Sequence, residues 1–284
     1  MVVPMACPIC DDTGWKRIED GDLRRVVRCD CWRDQLAARL LGGARIPRRY
    51  QHCDLSSFIT YSNEKLQNTV ARARRFAESF PIVDKGLFFI GPPGIGKSHL
   101  AVAVLKQVIR EKGARGLFYD VRELLKVIRS TYDPINRTTE SEVLRPVMSA
   151  DLLVLDDLGA EKPSEWVDET LNLIVNTRYN EQRATIFTSN YEEKEDRTDP
   201  DSLLVRVGAR MHSRLHEMCE LLEFDGADFR FAPTNAGADD LLTLWKRKQQ
   251  APKSSLPRRA GGGLRASLPD PGFDVKWTGG KVSR

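Results

Sequence analysis

Over residues 63–80, NEKLQNTVARARRFAESF, apolar positions recur at helical spacing. Leu66, Val70, Ala73, Phe76 and Ala77 fall on one side, which predicts an amphipathic helix. The period then changes. Leu87 to Ile90 form a short apolar run, a glycine turn follows, and 99–111 is helical again, ending near Gly113. The same alternation continues: strand at 115–121, helix from Arg122, loop DPINRTTE, helix at 141–150, strand at 151–157, long helix SEWVDETLNLIVNTRYNEQ, strand ATIFTSN, one helix from about Ser202 to Met218, and strand CELLEFDG. Runs such as DLLVLDD are apolar at successive positions, as in a sheet covered on both faces. Five strands alternating with helices predict an α/β fold around a parallel sheet. Residues 36–60 read as connecting chain, irregular over IPRRYQHCDLSSF. Beyond residue 231 only ADDLLTLWKRKQQ has the pattern of a helix.

Composition narrows the class. The chain has 284 residues, 30% charged and 41% hydrophobic, enough for one sizeable core plus a minor module. No apolar run approaches the length that spans a bilayer, and no targeting segment is visible, so a cytoplasmic protein is expected. The net charge of +4 is unevenly placed. Ten Lys/Arg and two Asp lie from Lys246 onward, so the tail carries +8 and residues 1–245 about −4. The tail is rich in Pro, Gly and Ser, reads as disordered, and is either a phosphate-contacting arm or a solvated segment.

Four of the six cysteines lie in the first 31 residues, as Cys7-x-x-Cys10 and Cys29-x-Cys31. Two such pairs match a closed four-sulfur Zn2+ site. Turn residues at Asp11–Gly14 and at Asp20-Gly21-Asp22 suit a hairpin that brings the pairs together. A segment this short has no core of its own, so metal binding would supply its folding energy. Disulfides need an oxidising compartment, and a redox CxxC needs a βαβ context that is missing. Cys53 and Cys219 read as small buried apolar residues.

GPPGIGKS matches GxxxxGK[ST] with Gly91, Gly96, Lys97 and Ser98, between a strand and a helix. Glycines let the backbone curl so that N–H groups face one phosphate. The lysine meets the β and γ oxygens, the serine hydroxyl ligates Mg2+, and the helix N-terminus favours the anion. Gly91, Pro92, Pro93, Gly94, Ile95, Gly96, Lys97, Ser98 and His99 are therefore the expected ATP cradle. Fifty-eight residues past Ser98, Asp156 and Asp157 end a buried strand. One carboxylate there can hold Mg2+ and its neighbour can orient water. Thr188, Ser189 and Asn190 end the next strand and set an amide beside the γ-phosphate position.

The stretches GPPGIGKSHLA, LLVLDDLGAEKPSEW, TIFTSN and RMHSRL resemble the DnaC/DnaI-type replicative helicase loaders, a branch of the AAA+ ATPases, over roughly residues 50–225. The resemblance implies a lidless AAA+ domain. It makes Asp156 the metal carboxylate, Asp157 the catalytic carboxylate, Asn190 the sensor, and Arg214 the arginine finger with Arg210 beside it. Many AAA+ proteins have Glu at the place of Asp157, and Asp is one methylene shorter. It also implies a replicative helicase and single-stranded DNA as partners, and a homo-oligomer that shares ATP sites. The four cysteines resemble the zinc-binding front of some loaders. Trp15, Trp32, Arg24, Arg25 and Arg28 are then contact candidates, or else a small core and a solvated strand face. The expected organisation is a zinc module over 1–45, a linker and helix over 46–84, the ATPase domain over 85–232 and a basic disordered tail over 233–284. Transposition helper ATPases of the IstB type share the same core. A zinc-containing nucleic-acid adaptor with ATP as structural ligand is a further alternative, opposed by the Asp157, Asn190 and Arg214 set. A metabolic P-loop kinase lacks an acceptor-substrate motif.

Overall fold

The computed structural model describes residues 7–11, 13–20, 23–133, 135–194 and 198–250. The tail beyond 250, the turn at Gly21-Asp22 and the Arg24 side chain lie outside the described residues. The chain opens with an antiparallel hairpin of β1 (Trp15–Asp20) and β2 (Leu23–Arg28), as the turn residues predict. Helix α1 (Cys31–Gly43) follows directly from the last clustered cysteine. The residues from 36 onward were expected to be connecting chain. None of this helix is fully buried, so it carries no apolar stripe for periodicity to reveal.

The body alternates as expected: α2 (Glu64–Ser79), β3 (Gly86–Ile90), α3 (Lys97–Lys112), β4 (Gly116–Asp120), α4 (Val121–Ser130), α5 (Glu140–Ser149), β5 (Leu152–Asp156), α6 (Glu165–Asn180) and β6 (Thr185–Ser189). After α7 (Leu203–Val207) and α8 (Ala209–Met218) come β7 (Cys219–Glu223) and α9 (Ala238–Gln250). The five body strands are all parallel, in the order β4-β5-β6-β3-β7. Alternate residues of each strand enter two separate cores. Leu87, Phe89, Phe118, Val154 and Ile186 pack with α2 and α3, while Phe88, Ile90, Leu155 and Phe187 pack with α4, α6 and α8. Each such side chain contributes about 1.5–3 kcal/mol on burial, which is why the strands read as unbroken apolar runs.

Local chemistry sets the helix starts. The side chains of Asn63, Asp120 and Ser164 accept backbone N–H bonds at the heads of α2, α4 and α6, and Thr139 with Glu142 closes a capping box on α5. The single helix expected from Ser202 to Met218 is two. Gly208 sits at φ 77°, ψ 153°, ends α7 and starts α8, a conformation open to glycine and closed to a helix interior.

Arg178 on α6 is 1% exposed and, among the described residues, has no carboxylate within ion-pair distance. Its guanidinium donates instead to Thr185 Oγ1 and to the carbonyls of Val147, Met148, Ala150 and Ala184, at 2.6–3.2 Å. The α5 carbonyls among them have no helical N–H partner, and their dipole end favours a cation. Burial still lowers the Arg178 pKa to about 9.

The expected tail boundary at 233 is corrected by α9. Leu241 is buried, Trp245 lies 6.0 Å from the Tyr61 ring and donates to Asp225 Oδ2 at 3.3 Å, and Lys248 reaches the Gly226 carbonyl. Beside this helix, Ala227 N donates to the Tyr61 hydroxyl at 2.9 Å and Asn63 Nδ2 to the Asp225 carbonyl at 2.8 Å. The segment entering the body is thus fastened to the segment leaving it.

Candidate nucleotide site and cysteine module

The carboxyl ends of β3, β4, β5 and β6 open onto a cleft of about 250 Å³. Ligands of open parallel sheets bind at this edge. Gly94 and Gly96, at φ 82° and 98°, turn the loop after β3 so that α3 points its N-terminus at the cleft. A Cβ on Gly94 would strike the Asp228 carboxylate, and one on Gly96 would crowd Phe58 at 2.9 Å, so both positions require glycine. Lys97, Ser98 and His99 line the cleft with Gly94 and Gly96. Gly91 packs under Phe224 and Ile95 is buried, so they brace the loop from beneath. Pro92 supplies a carbonyl and Pro93 stands exposed at the tip.

Lys97 Nζ donates to the carbonyls of Gly91 and Pro92 and to Asn190 Oδ1, each at 2.7 Å. Burial lowers its pKa to about 8, with Asp156 and Asp157 pulling the other way. Asp156 Oδ1 accepts from Ser98 Oγ at 2.7 Å and Thr188 Oγ1 at 2.6 Å. Burial raises the Asp156 pKa against these two donors. The carboxylate and the Ser98 hydroxyl thus present hard oxygens side by side, a donor set that fits Mg2+. Asp157 follows the strand at φ 62°. Its amide donates to Thr188 Oγ1, and its carboxylate accepts from Asn190 Nδ2 at 2.6 Å. Asn190 therefore bridges Lys97 and Asp157. His99 Nε2 lies 3.3 Å from Ser57 Oγ, and burial lowers its pKa. A phosphate chain fits glycine-gated backbone, a buried lysine and a helix N-terminus.

Four cleft residues were not singled out from the sequence. Arg49 and Tyr50 come from the segment taken as linker, Asp120 caps α4, and Arg230 sits on a 3₁₀ turn after β7. That segment is held by Lys106, whose Nζ donates to the carbonyls of Gln51 and Cys53 and pairs with Asp54. Strand-end position was the available signal for Asp120; the others follow from tertiary contacts alone. Arg214 does not line this chain's own cleft. It lies on α8, half-buried, with Nη1 at 3.4 Å from the Arg210 carbonyl, and Arg210 is exposed.

The four clustered cysteines converge, with all sulfurs within 4.8 Å of one another. Cys7 and Cys29 are 3.8 Å apart, Cys10 and Cys31 3.2 Å. A tetrahedral ion with Zn–S bonds of about 2.3 Å sets its sulfurs about 3.8 Å apart, so the set fits Zn2+. The Cys10 thiol, raised by burial and lowered by hydrogen bonds led by that from Cys31, comes down to about 7. On the hairpin, the Arg28 guanidinium lies 5.2 Å from the Trp15 ring and 4.3 Å from the Trp32 ring. Trp15, Ile18, Val26 and Trp32 remain exposed. Cys53 and Cys219 are buried; burial pushes the Cys53 thiol up to about 11.

Among the described residues no helix is long and apolar enough to cross a membrane. The family model described as IstB-like ATP binding protein matches residues 39–235. The replicative helicase loader DnaC of Buchnera aphidicola from Acyrthosiphon pisum is 29% identical over 156 residues, and the chain spans 63% of that relative's length and 55% of its own. DnaC of Escherichia coli K12 is 29% identical over 181 residues, 63% of this chain and 72% of the relative. A crystal structure of the DnaC helicase loader superposes with a TM-score of 0.56 and 36% identity, over 63% of this chain and all of that one.

Proposed function

This chain belongs to the IstB-like ATP binding protein family, and from that premise we propose that it is an ATPase that loads the replicative DNA helicase. The observation that carries the reading is the convergence of Lys97, Ser98, Asp156, Asp157 and Asn190 at one edge of the sheet. Mg–ATP supplies the scissile phosphoanhydride and a cation that spreads its charge. Lys97 leaves its carbonyl partners for the β and γ oxygens. Ser98 Oγ and Asp156 would hold the cation. The Asp157 carboxylate, fixed by Asn190, orients the attacking water. Asn190 touches both the lysine and that carboxylate, so a change at the phosphate reaches the water-orienting group through one amide. Arg214 acts in the cleft of a neighbouring copy, which makes the active form a homo-oligomer. The names of the relatives and the cysteine module favour helicase loading over transposition.

The exposed tryptophans around Arg28 form the surface that docks the helicase, folded by Zn2+ on Cys7, Cys10, Cys29 and Cys31. The basic tail contacts single-stranded DNA through phosphates. Three measurements test this reading. Asp157→Asn should bind ATP and lose turnover, while Lys97→Ala loses both. Arg214→Ala mixed with Lys97→Ala should regain part of the activity, because an intact arginine can serve an intact loop. Capture of the replicative helicase from lysate should change with ATP. Normal hydrolysis by the Asp157 variant, or no helicase captured in either condition, would remove the proposal.

A further inference from the structure

The loop after β6 and helix α8 hold a second group of ligand-type side chains, away from the cleft and from the cysteines. His212 and His216 are four positions apart on α8, so they share one side of the helix. Their rings lie 4.5 Å apart. Glu193, three residues past Asn190, faces both. His212 Nε2 is 2.6 Å and His216 Nε2 3.1 Å from Glu193 Oε1, and the two nitrogens are 3.3 Å from each other. Three donor atoms therefore converge on one point.

We propose that Glu193, His212 and His216 form a binding site for a divalent transition metal, with Zn2+ the ion the donor set fits best. Two imidazole nitrogens and one carboxylate oxygen are a common Zn2+ set, and bonds of about 2.0–2.1 Å separate donors by about 3.3 Å in a tetrahedron. A second observation points the same way. Glu193 Oε2 is buried and has no hydrogen-bond partner among the described residues. Both histidines meet the carboxylate at Oε1, which leaves the buried Oε2 unsatisfied, a costly arrangement for a polar group. A cation shared by both carboxylate oxygens satisfies it. The coordination position left open lies toward solvent on the His216 side, where that side chain is 41% exposed.

The site has a mechanical meaning. Glu193 is joined through two residues to Asn190, and α8 carries Arg210 and Arg214, two positions off the histidines and so on nearly the opposite side of the helix. An ion here ties the strand end that touches Lys97 and Asp157 to the helix that presents those arginines. It fastens α8 beyond the glycine break at 208, where the backbone alone does not.

Cobalt titration of the metal-depleted full-length chain tests the proposal. Thiolate ligation gives an intense sulfur-to-cobalt charge-transfer band; a site of two imidazoles and a carboxylate gives d–d absorption without it. The parent should take up one equivalent of Co2+ that lacks the thiolate band, and Zn2+ should displace it. His212→Gln/His216→Gln should lose that equivalent and keep its far-ultraviolet circular dichroism. Glu193→Gln, which keeps shape and volume, should weaken the same equivalent at least about tenfold. The signal is read apart from sulfur and from ATP turnover, so it stands whatever the fate of the loader assignment. No non-thiolate equivalent in the parent, or its survival in the double variant, would overturn the site.

Discussion

Titrating the buried lysine of the phosphate loop separates its charge from its geometry. Burial holds Lys97 down from 10.5 to about 8. Keeping the ammonium in place at pH 7 therefore costs about 3 kcal/mol, at 1.36 kcal/mol per unit. Bound phosphate favours the charged form and raises this pKa again. Below pH 8 the nucleotide meets an ammonium already formed. Above pH 8 each binding event must draw a proton from solvent, so affinity falls about tenfold per pH unit until the pKa of the complex is reached. At pH 9 the free loop is charged about one time in ten, and Kd should be about tenfold weaker than at pH 7, about 1.4 kcal/mol. Stability of the free protein moves the other way. Unfolded lysine titrates near 10.5, so between pH 8 and 10.5 the unfolded chain binds more protons and this lysine's contribution to stability rises with pH. The assay is calorimetric titration with Mg2+ and a non-hydrolysable ATP analogue at pH 7, 8 and 9, each in two buffers of different ionisation enthalpy. Proton uptake should climb from near zero toward one per site. A Kd that stays flat to pH 9, with no proton taken up, would refute the argument.

Three further outcomes follow from the geometry. Gly94→Ala forces a Cβ into the Asp228 carboxylate at a φ of 82°, a strain of about 1–3 kcal/mol; equilibrium dialysis should show ATP affinity down at least about tenfold, with a melting temperature roughly 2–12 °C below the parent. Arg178→Met orphans the five acceptors of that guanidinium. Recovered charge desolvation offsets part of the loss, and the net should be about 3 kcal/mol, a fall of roughly 6–12 °C by calorimetry. Chelation of the cysteine module should expose four thiols to alkylation, counted by mass, while Cys53 and Cys219, both buried, stay protected; an unchanged count would mean the four sulfurs hold no ion.

The features that read correctly from the sequence share one property: they are written in neighbouring residues. The strands announce themselves because both faces are buried, the loop because glycine spacing and a following helix have one common use, the hairpin because its turns are polar. Helix α1 was missed because it buries no residue fully, and the break at Gly208 because apolar spacing continues across it. Arg49, Tyr50 and Arg230 reach the cleft only through long-range folding of segments with no strong local pattern. Glu193 with His212 and His216 is of the same kind, since the helical histidine pair is visible in the sequence and its carboxylate partner is not.

The bond between Tyr61 and Ala227, with that between Asn63 and Asp225, has a consequence for force. A load applied ahead of residue 60 and resisted beyond residue 245 need not travel along the chain. It crosses from Tyr61 to Trp245 and the turn before α9, and that same turn touches the phosphate loop, where Phe229 N donates to the Gly94 carbonyl at 2.9 Å. Tension between the front module and the exit helix therefore meets the cradle on its way across, so pulling at the two ends is felt at the nucleotide site.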